Sequence, residues 1–177
     1  MKPKYLYHAS HKRNLKKIKP RNITTPEGFG KGPVIFATSE FAFATQFLVP
    51  HDDSWANGGV IGGVLFFVIG DRKRFIEKDK GGSIYSIPSN NFSKYNKREW
   101  ISSKSVKTGS EVCFSSGLDA MVTNGVQVYF VDKETYESVQ KSQDHGTLIM
   151  NKLVSEDEKR GLKVRKLDVY KRSKKKA

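Results

Sequence analysis

The chain has 177 residues, of which 37% are hydrophobic and 28% charged, and it carries a formal net charge of +14. That length suits one domain with a real core, while the lack of any run of 18 apolar residues excludes a membrane-spanning helix. The single cysteine, Cys113, excludes an intramolecular disulfide and a multi-cysteine zinc site, and with no apolar signal core behind the basic N-terminus the expectation is a cytoplasmic protein.

Residues 4–8 are aromatic and loosely alternating, which predicts a strand ending in His8. Between His11 and Lys19, Leu15 and Ile18 fall on one helical face among lysines, a short amphipathic turn or 3-10 segment stopped at Pro20. Residues 20–33 hold three prolines and three glycines and form a loop long enough to be functional. Val34 to Ala37 is a short apolar strand. Ser39 suits an N-cap, and Phe41, Ala44, Phe47 and Leu48 mark one face of a helix ended by Pro50. His51 to Gly63 is polar and glycine-rich and reads as a loop. Val64 to Ile69 is continuously apolar, hence a buried or central strand. Asp71 to Gly82 reads as a turn or short helix, Ser83 to Ile87 as a strand, and Ser89 to Phe92 as loop.

Glu99 to Ser103 and Ser105 to Lys107 read as an extended segment. Glu111 to Phe114 is a further strand, in which Cys113 is expected to be buried. Leu118, Met121 and Val122 suit a helical turn closed by Asn124-Gly125. Val126 to Val131 is a clear strand, and Asp132 caps a helix to about Ser142 with Tyr136 and Val139 inward. A second small helix is expected after His145, and Leu162 to Tyr170 forms a last strand or a tail. Many short strands scattered among few short helices predict an α+β fold with an antiparallel or split sheet, not a parallel doubly wound one. The domain organisation expected is a body over residues 1–145 and a basic C-terminal helix or strand extension and tail over residues 146–177.

The charge is concentrated at the two ends. Residues 2–31 carry nine Lys/Arg and one acid, residues 152–177 carry eleven and four, and the 120 residues between them carry twelve and thirteen. Brought together, the ends make a basic face that attracts polyanions such as nucleic acid. Tyr5, Tyr7 and Trp55, if exposed, add stacking surfaces for bases.

No G-x-G-x-x-G after a strand, Walker lysine motif, H-E-x-x-H or G-x-S-x-G is present. His8 and His11 have no matching carboxylate pair, and the run His51-Asp52-Asp53, richer in ligand types, falls in an expected flexible loop, so no metal is expected. What the chain does contain is Leu6-Tyr7-His8-Ala9-Ser10, then Gly30-Lys31-Gly32-Pro33-Val34-Ile35-Phe36-Ala37, then a segment with Ala44 and Phe47, and later Glu99-Trp100-Ile101-Ser102. This series resembles the histidine-first branch of the ADP-ribosyltransferase superfamily, the poly(ADP-ribose) polymerase-like and rifampin ADP-ribosyltransferase-like enzymes, over roughly residues 4–131. In that branch a strand ends in histidine. A segment of the kind G-K-G-[IV]-Y-F-A follows, and a late strand opens with glutamate and an aromatic. Glu111-Val112-Cys113-Phe114 competes with Glu99-Trp100 for the last element, and Ile35 stands where the family has tyrosine.

The resemblance implies a split antiparallel sheet, NAD as substrate, and transfer of ADP-ribose to a macromolecule with release of nicotinamide. It implies that His8 holds the ribose and that the backbone at Ala9, with Ser10 beside it, meets the carboxamide. Phe36 and Phe47, with Ile35 at the tyrosine position, would line the nicotinamide, and Glu99 or Glu111 would be the catalytic carboxylate. The chemistry asks for such groups. A flat nicotinamide stacks between aromatics, glycine-rich backbone lets amide groups approach a ligand, and a carboxylate stabilises the positive charge that develops as the glycosidic bond breaks. The acceptor implied by the charge is nucleic acid or a nucleic-acid-bound protein, with no membrane partner. The alternatives are a related phosphate-transfer chemistry on RNA, a basic nucleic-acid-binding module, and a catalytically inactive relative of the same fold.

Overall fold

The computed structural model describes residues 2–21, 32–61, 64–142 and 168–170. A six-stranded sheet dominates it. Its strands are β1 (Tyr5–Ser10), β3 (Ile35–Thr38), β6 (Gly82–Pro88), β7 (Ser93–Lys94), β8 (Glu99–Ser102) and β10 (Glu111–Phe114), in the order β10-β6-β1-β3-β8-β7 with all neighbours antiparallel. A four-stranded sheet runs β12 (Asp168–Tyr170), β11 (Gln127–Phe130), β5 (Val64–Ile69), β4 (Ala56–Ile61). Here β5 and β11 are parallel, joined by the long excursion that builds much of the larger sheet. A two-stranded ribbon pairs β2 (Lys17–Ile18) with β9 (Val106–Lys107). The α+β class expected from scattered short elements is the one observed, mostly antiparallel with four short helices among the described residues.

The side-chain period of two explains how the large sheet is covered. Leu6, Ile35, Ala37, Tyr85, Ile87 and Trp100 form one apolar face, closed by Ile18 and Val106 of the ribbon. The opposite face, with Ile84, packs against Ala44 of α1 (Phe41–Thr45), Leu48 of the 3-10 turn Gln46–Leu48 and Ala120 of α3 (Gly117–Thr123). The four-stranded sheet builds its own core from Phe67, Ile69, Val128 and Phe130, against Phe75 of α2 (Arg72–Lys78) and Met121. Continuously apolar Val64–Ile69 is an inner strand, flanked by β11 and β4, as its composition predicts. Asp79 ties the two parts together: its carboxylate accepts from Gly117 N–H (2.6 Å), Leu118 N–H (3.0 Å) and Ser116 Oγ (2.8 Å), closing the start of α3. Asp132 caps α4 (Lys133–Lys141), with Tyr136 and Val139 buried as expected.

Several expectations are corrected. Residues 11–19 are not helical. Asn14 takes a left-handed conformation (φ 57°), which asparagine tolerates, and Lys17–Ile18 pair with β9 instead. The segment is captured by Tyr85, whose hydroxyl accepts from Leu15 N–H at 3.2 Å. His51 to Gly63 is not all loop: Ala56–Ile61 is β4, because Gly58 and Gly59 pass closely against Gln46 and Phe66 where a Cβ would collide. Glu40, not Ser39, occupies the N-cap of α1, and Thr38 Oγ1 takes its N–H at 3.1 Å. Cys113 is exposed, not buried, since β10 lies at the edge of its sheet. Trp55 is buried at 4% exposure in the second core and offers no stacking face, and Tyr7 is half-buried with its ring edge-on to Phe41. The helix expected after His145 and the lysine tail lie outside the described residues, as do Gly30 and Lys31. Of the proposed extension, Asp168–Tyr170 forms a strand against β11.

Candidate functional site

The large sheet is continuous but loosely joined at one place. β1 and β3 are neighbours, yet they meet in register at one position, Tyr7 with Thr38. By contrast β1 and β6 pair along all six residues of β1. Beyond Tyr7 and Thr38 the two strands diverge and leave a gap bordered by His8–Ser10 on one side and Val34–Phe36 on the other.

Strand backbone groups alternate in direction, so residues two apart turn their carbonyls the same way. The Phe36 carbonyl accepts a bond from His8 Nδ1–H at 2.7 Å, and the Val34 carbonyl accepts from Arg21 N–H at 3.4 Å. Both therefore point into the gap. By the same alternation Tyr7, paired with Thr38, and Ala9 both aim their N–H and C=O toward β3. Tyr7 has its partner there, whereas no residue of β3 stands in register with Ala9.

The result is an open cleft of about 200 Å³. Its lining includes His8, Ala9, Ser10, Ile35, Phe36 and Phe47, all six of the residues expected around a nucleotide. Phe47 is 44% exposed, a large aromatic left in water at the cleft. Phe36 is half-buried and meets Tyr95 edge-on. Ile35 contributes differently from the tyrosine it replaces. Its side chain is 2% exposed and belongs to the core, so it borders the cleft without offering a ring.

The histidine is chemically defined. A carbonyl can only accept, so the bond to Phe36 fixes the proton on Nδ1 of the neutral ring and leaves Nε2 as an acceptor. Burial pushes the His8 pKa below its ordinary value. The bond to the Phe36 carbonyl works against that, and the nearby Arg21 charge adds to it. At neutral pH the ring is uncharged, and Nε2 can accept a hydrogen bond from a donor in the cleft while Nδ1–H stays on the framework.

Four further lining residues were not among those expected around a nucleotide: His11, Lys19, Arg21 and Val34. Lys19 and Arg21 make the cleft cationic. The signal for them was the alternation of Lys17, Lys19 and Arg21 with Ile18 and Pro20, which a helical reading of 11–19 conceals.

The two glutamates occupy different surroundings. Glu99 opens β8, the strand beside β3, in register with Thr38, so it shares a face with Thr38 and Phe36. It is not among the residues lining the cleft. Its Oε2 accepts from Asn96 Nδ2 at 2.6 Å, and its N–H is held by Asn96 Oδ1 at 2.8 Å. Glu111 lies on β10, four strand spacings or roughly 19 Å across the sheet from β8. Its Oε1 takes Ser83 Oγ at 2.6 Å and Asn14 N–H at 3.0 Å, with the Tyr85 hydroxyl at 2.9 Å. These donors, Ser83 foremost, hold its pKa down at about 2. Glu111 thus pins the 11–15 segment to the sheet, and the two glutamates cannot serve one reacting centre.

Among the described residues no group of three or more His, Cys, Asp or Glu is arranged to hold a metal ion, and no helix is long and apolar enough to cross a membrane. His51 is engaged with the Val49 carbonyl at 2.8 Å, and Asp52 with Arg74 at 3.3 Å. No protein-family model, curated protein or solved structure matches the chain significantly.

Proposed function

We propose that the cleft between β1 and β3 binds NAD and that the chain transfers ADP-ribose to a macromolecular acceptor, nucleic acid or a protein bound to it. The observation that carries this reading is the loose join itself: two adjacent strands part to leave His8, the Ala9 backbone and Phe47 around one cationic cleft. The fit to a dinucleotide is chemical. Lys19 and Arg21 suit phosphates, Nε2 of His8 suits a ribose hydroxyl, and the outward N–H and C=O of Ala9 suit a carboxamide, which both donates and accepts. Phe47, with Phe36, supplies aromatic surface for a flat ring.

NAD supplies the electrophile: the nicotinamide–ribose bond breaks with its electron pair leaving on nicotinamide, and an acceptor nucleophile forms the new bond as it loses its proton. His8 fixes the sugar without changing charge. Glu99, one strand over from β3 and on the face of Phe36, is the carboxylate that stabilises developing positive charge and orients the acceptor once released from Asn96. With purified protein and NAD, nicotinamide release followed by chromatography is expected. Glu99→Gln should lower turnover by about 100-fold or more while NAD binding persists. Unchanged turnover removes Glu99 from the reaction, and no nicotinamide release together with no NAD binding by calorimetry ends the reading.

The inactive-relative reading is favoured by one pair of observations. Ile35 gives the cleft no tyrosine ring, and Glu99 is held by Asn96 outside its lining. It predicts NAD binding without release of nicotinamide, which the same two measurements separate from the lead.

A further inference from the structure

Residues 17–21 alternate: Lys17 exposed, Ile18 buried, Lys19 exposed, Pro20 half-buried, Arg21 exposed. That is the pattern of an extended chain with its apolar side on the core, and it lines three cations along the outer side at intervals of roughly 7 Å. Lys17 stands directly opposite Lys107 in the β2–β9 ribbon, with Ile18 and Val106 buried beneath. Like charges directly opposite each other across strands are unfavourable. Among the described residues no carboxylate lies within ion-pair distance of Lys17, Lys19, Arg21 or Lys107. Glu111, whose Oε1 holds Asn14 of the same segment, is taken up by its own donors. Lys16 and Lys104 flank the file, both exposed.

We propose that Lys107, Lys17, Lys19 and Arg21 form a rail for the backbone phosphates of a single nucleic-acid strand, leading it into the cleft. This names the acceptor class for the transfer proposed above, and as a statement about the acceptor it rests on that reading. The rail reaches beyond what a dinucleotide needs. Lys19 and Arg21 line the cleft, whereas Lys17 and Lys107 lie outside it on the ribbon. Three regularly spaced cations in file, Lys17, Lys19 and Arg21, with Lys107 beside the first, suit one regular anionic backbone. The ribbon buries Ile18 and Val106, so its outer side offers no apolar residue to enter a lipid surface.

The test is fluorescence anisotropy of the full chain with a labelled 20-nucleotide single strand, as DNA and as RNA, over a salt series. K17E/K107E should weaken binding at least tenfold and flatten the log Kd against log salt slope by about 1.4, two phosphates at about 0.7 each. K73E/K78E changes the net charge equally, but on α2, and should stay within about twofold of wild type. The single change Lys17→Glu sets a carboxylate opposite Lys107, so it should fold at least as well as wild type and still bind more weakly. Equal losses from the ribbon pair and the α2 pair overturn the rail, as does preferential capture by phosphatidylserine vesicles. Calorimetry with NAD keeps the two proposals apart. Ribbon-specific loss of oligonucleotide binding in a protein that binds no NAD sinks the cleft reading and leaves the rail. NAD binding with oligonucleotide affinity indifferent to K17E/K107E does the reverse.

Discussion

Single side chains of the large sheet make sharp statements about pH. His8 has its folded-state pKa lowered by burial, so the unfolded chain takes up a proton before the folded chain does. No stability is lost above the unfolded value of about 6.5. As pH falls below it, stability declines by at most about 1.4 kcal/mol per pH unit, until the folded pKa is passed. Asparagine can keep a donor toward the Phe36 carbonyl but does not titrate. His8→Asn should therefore flatten the fall in urea midpoint between about pH 6.5 and 5, and equal slopes in the two proteins would count against a buried neutral ring. Glu111 runs the other way. Its carboxylate, held at a pKa of about 2, contributes stability that is present above its ordinary 4.5 and is lost as pH falls toward 2. Glu111→Gln should erase that acid-range slope and leave nicotinamide release intact, in contrast to Glu99→Gln. Loss of turnover in Glu111→Gln at full stability would return it to the catalytic candidates.

At the scale of elements, the rim of the cleft depends on how β1 leaves the sheet. Gly82, at the start of β6, has φ +154°, and a Cβ there would sit inside contact distance of the Ser10 carbonyl and 3.1 Å from His11 Cα. Both neighbours are backbone, so they cannot swing away. Gly82→Ala should cost about 1–3 kcal/mol in urea unfolding and weaken NAD binding, because Ser10 and His11 are cleft residues. Unaltered NAD affinity would mean the rim tolerates the shift. The elements themselves were legible where side-chain pattern decides them: Val64–Ile69 by its apolar run, Lys133–Lys141 by the Asp132 cap, Glu99–Ser102 by its aromatic and β-branched content. They were not legible where a distant partner decides. Lys17–Ile18 is a strand because Val106–Lys107 lies beside it and Tyr85 holds Leu15, and nothing local to residues 11–19 carries that information. Ala56–Ile61 is a strand because its glycines let it lie against Gln46 and Phe66.

Over the whole molecule, the cleft was legible as a set of residue types but not as an opening. His8, Phe36 and Phe47 could be named from the family resemblance, yet the gap exists because β1 and β3 pair once and then part, a property of the assembled sheet. The sequence also shows where basic residues are dense without showing which of them act together. The charge is high enough at +14 for any polyanion to stick weakly, so position must be separated from total. Deleting residues 168–177 removes five Lys/Arg and one acid, the same loss of four charges that K17E/K107E produces. The deletion also removes β12, which among the described residues pairs only with β11 in the four-stranded sheet, so the six-stranded sheet and its cleft keep all their pairings. If affinity for a nucleic-acid strand follows net charge, the two variants should weaken alike. If the rail governs it, the deletion should cost no more than about threefold, against the tenfold or greater loss from the ribbon pair, because each phosphate contact carries its own share of the salt-dependent affinity. Newly uncovered β11 becomes an open edge, so the deletion should instead show itself as concentration-dependent association in sedimentation. A deletion that abolishes strand binding while remaining monomeric and folded would move the binding surface from the ribbon to the C-terminal segment.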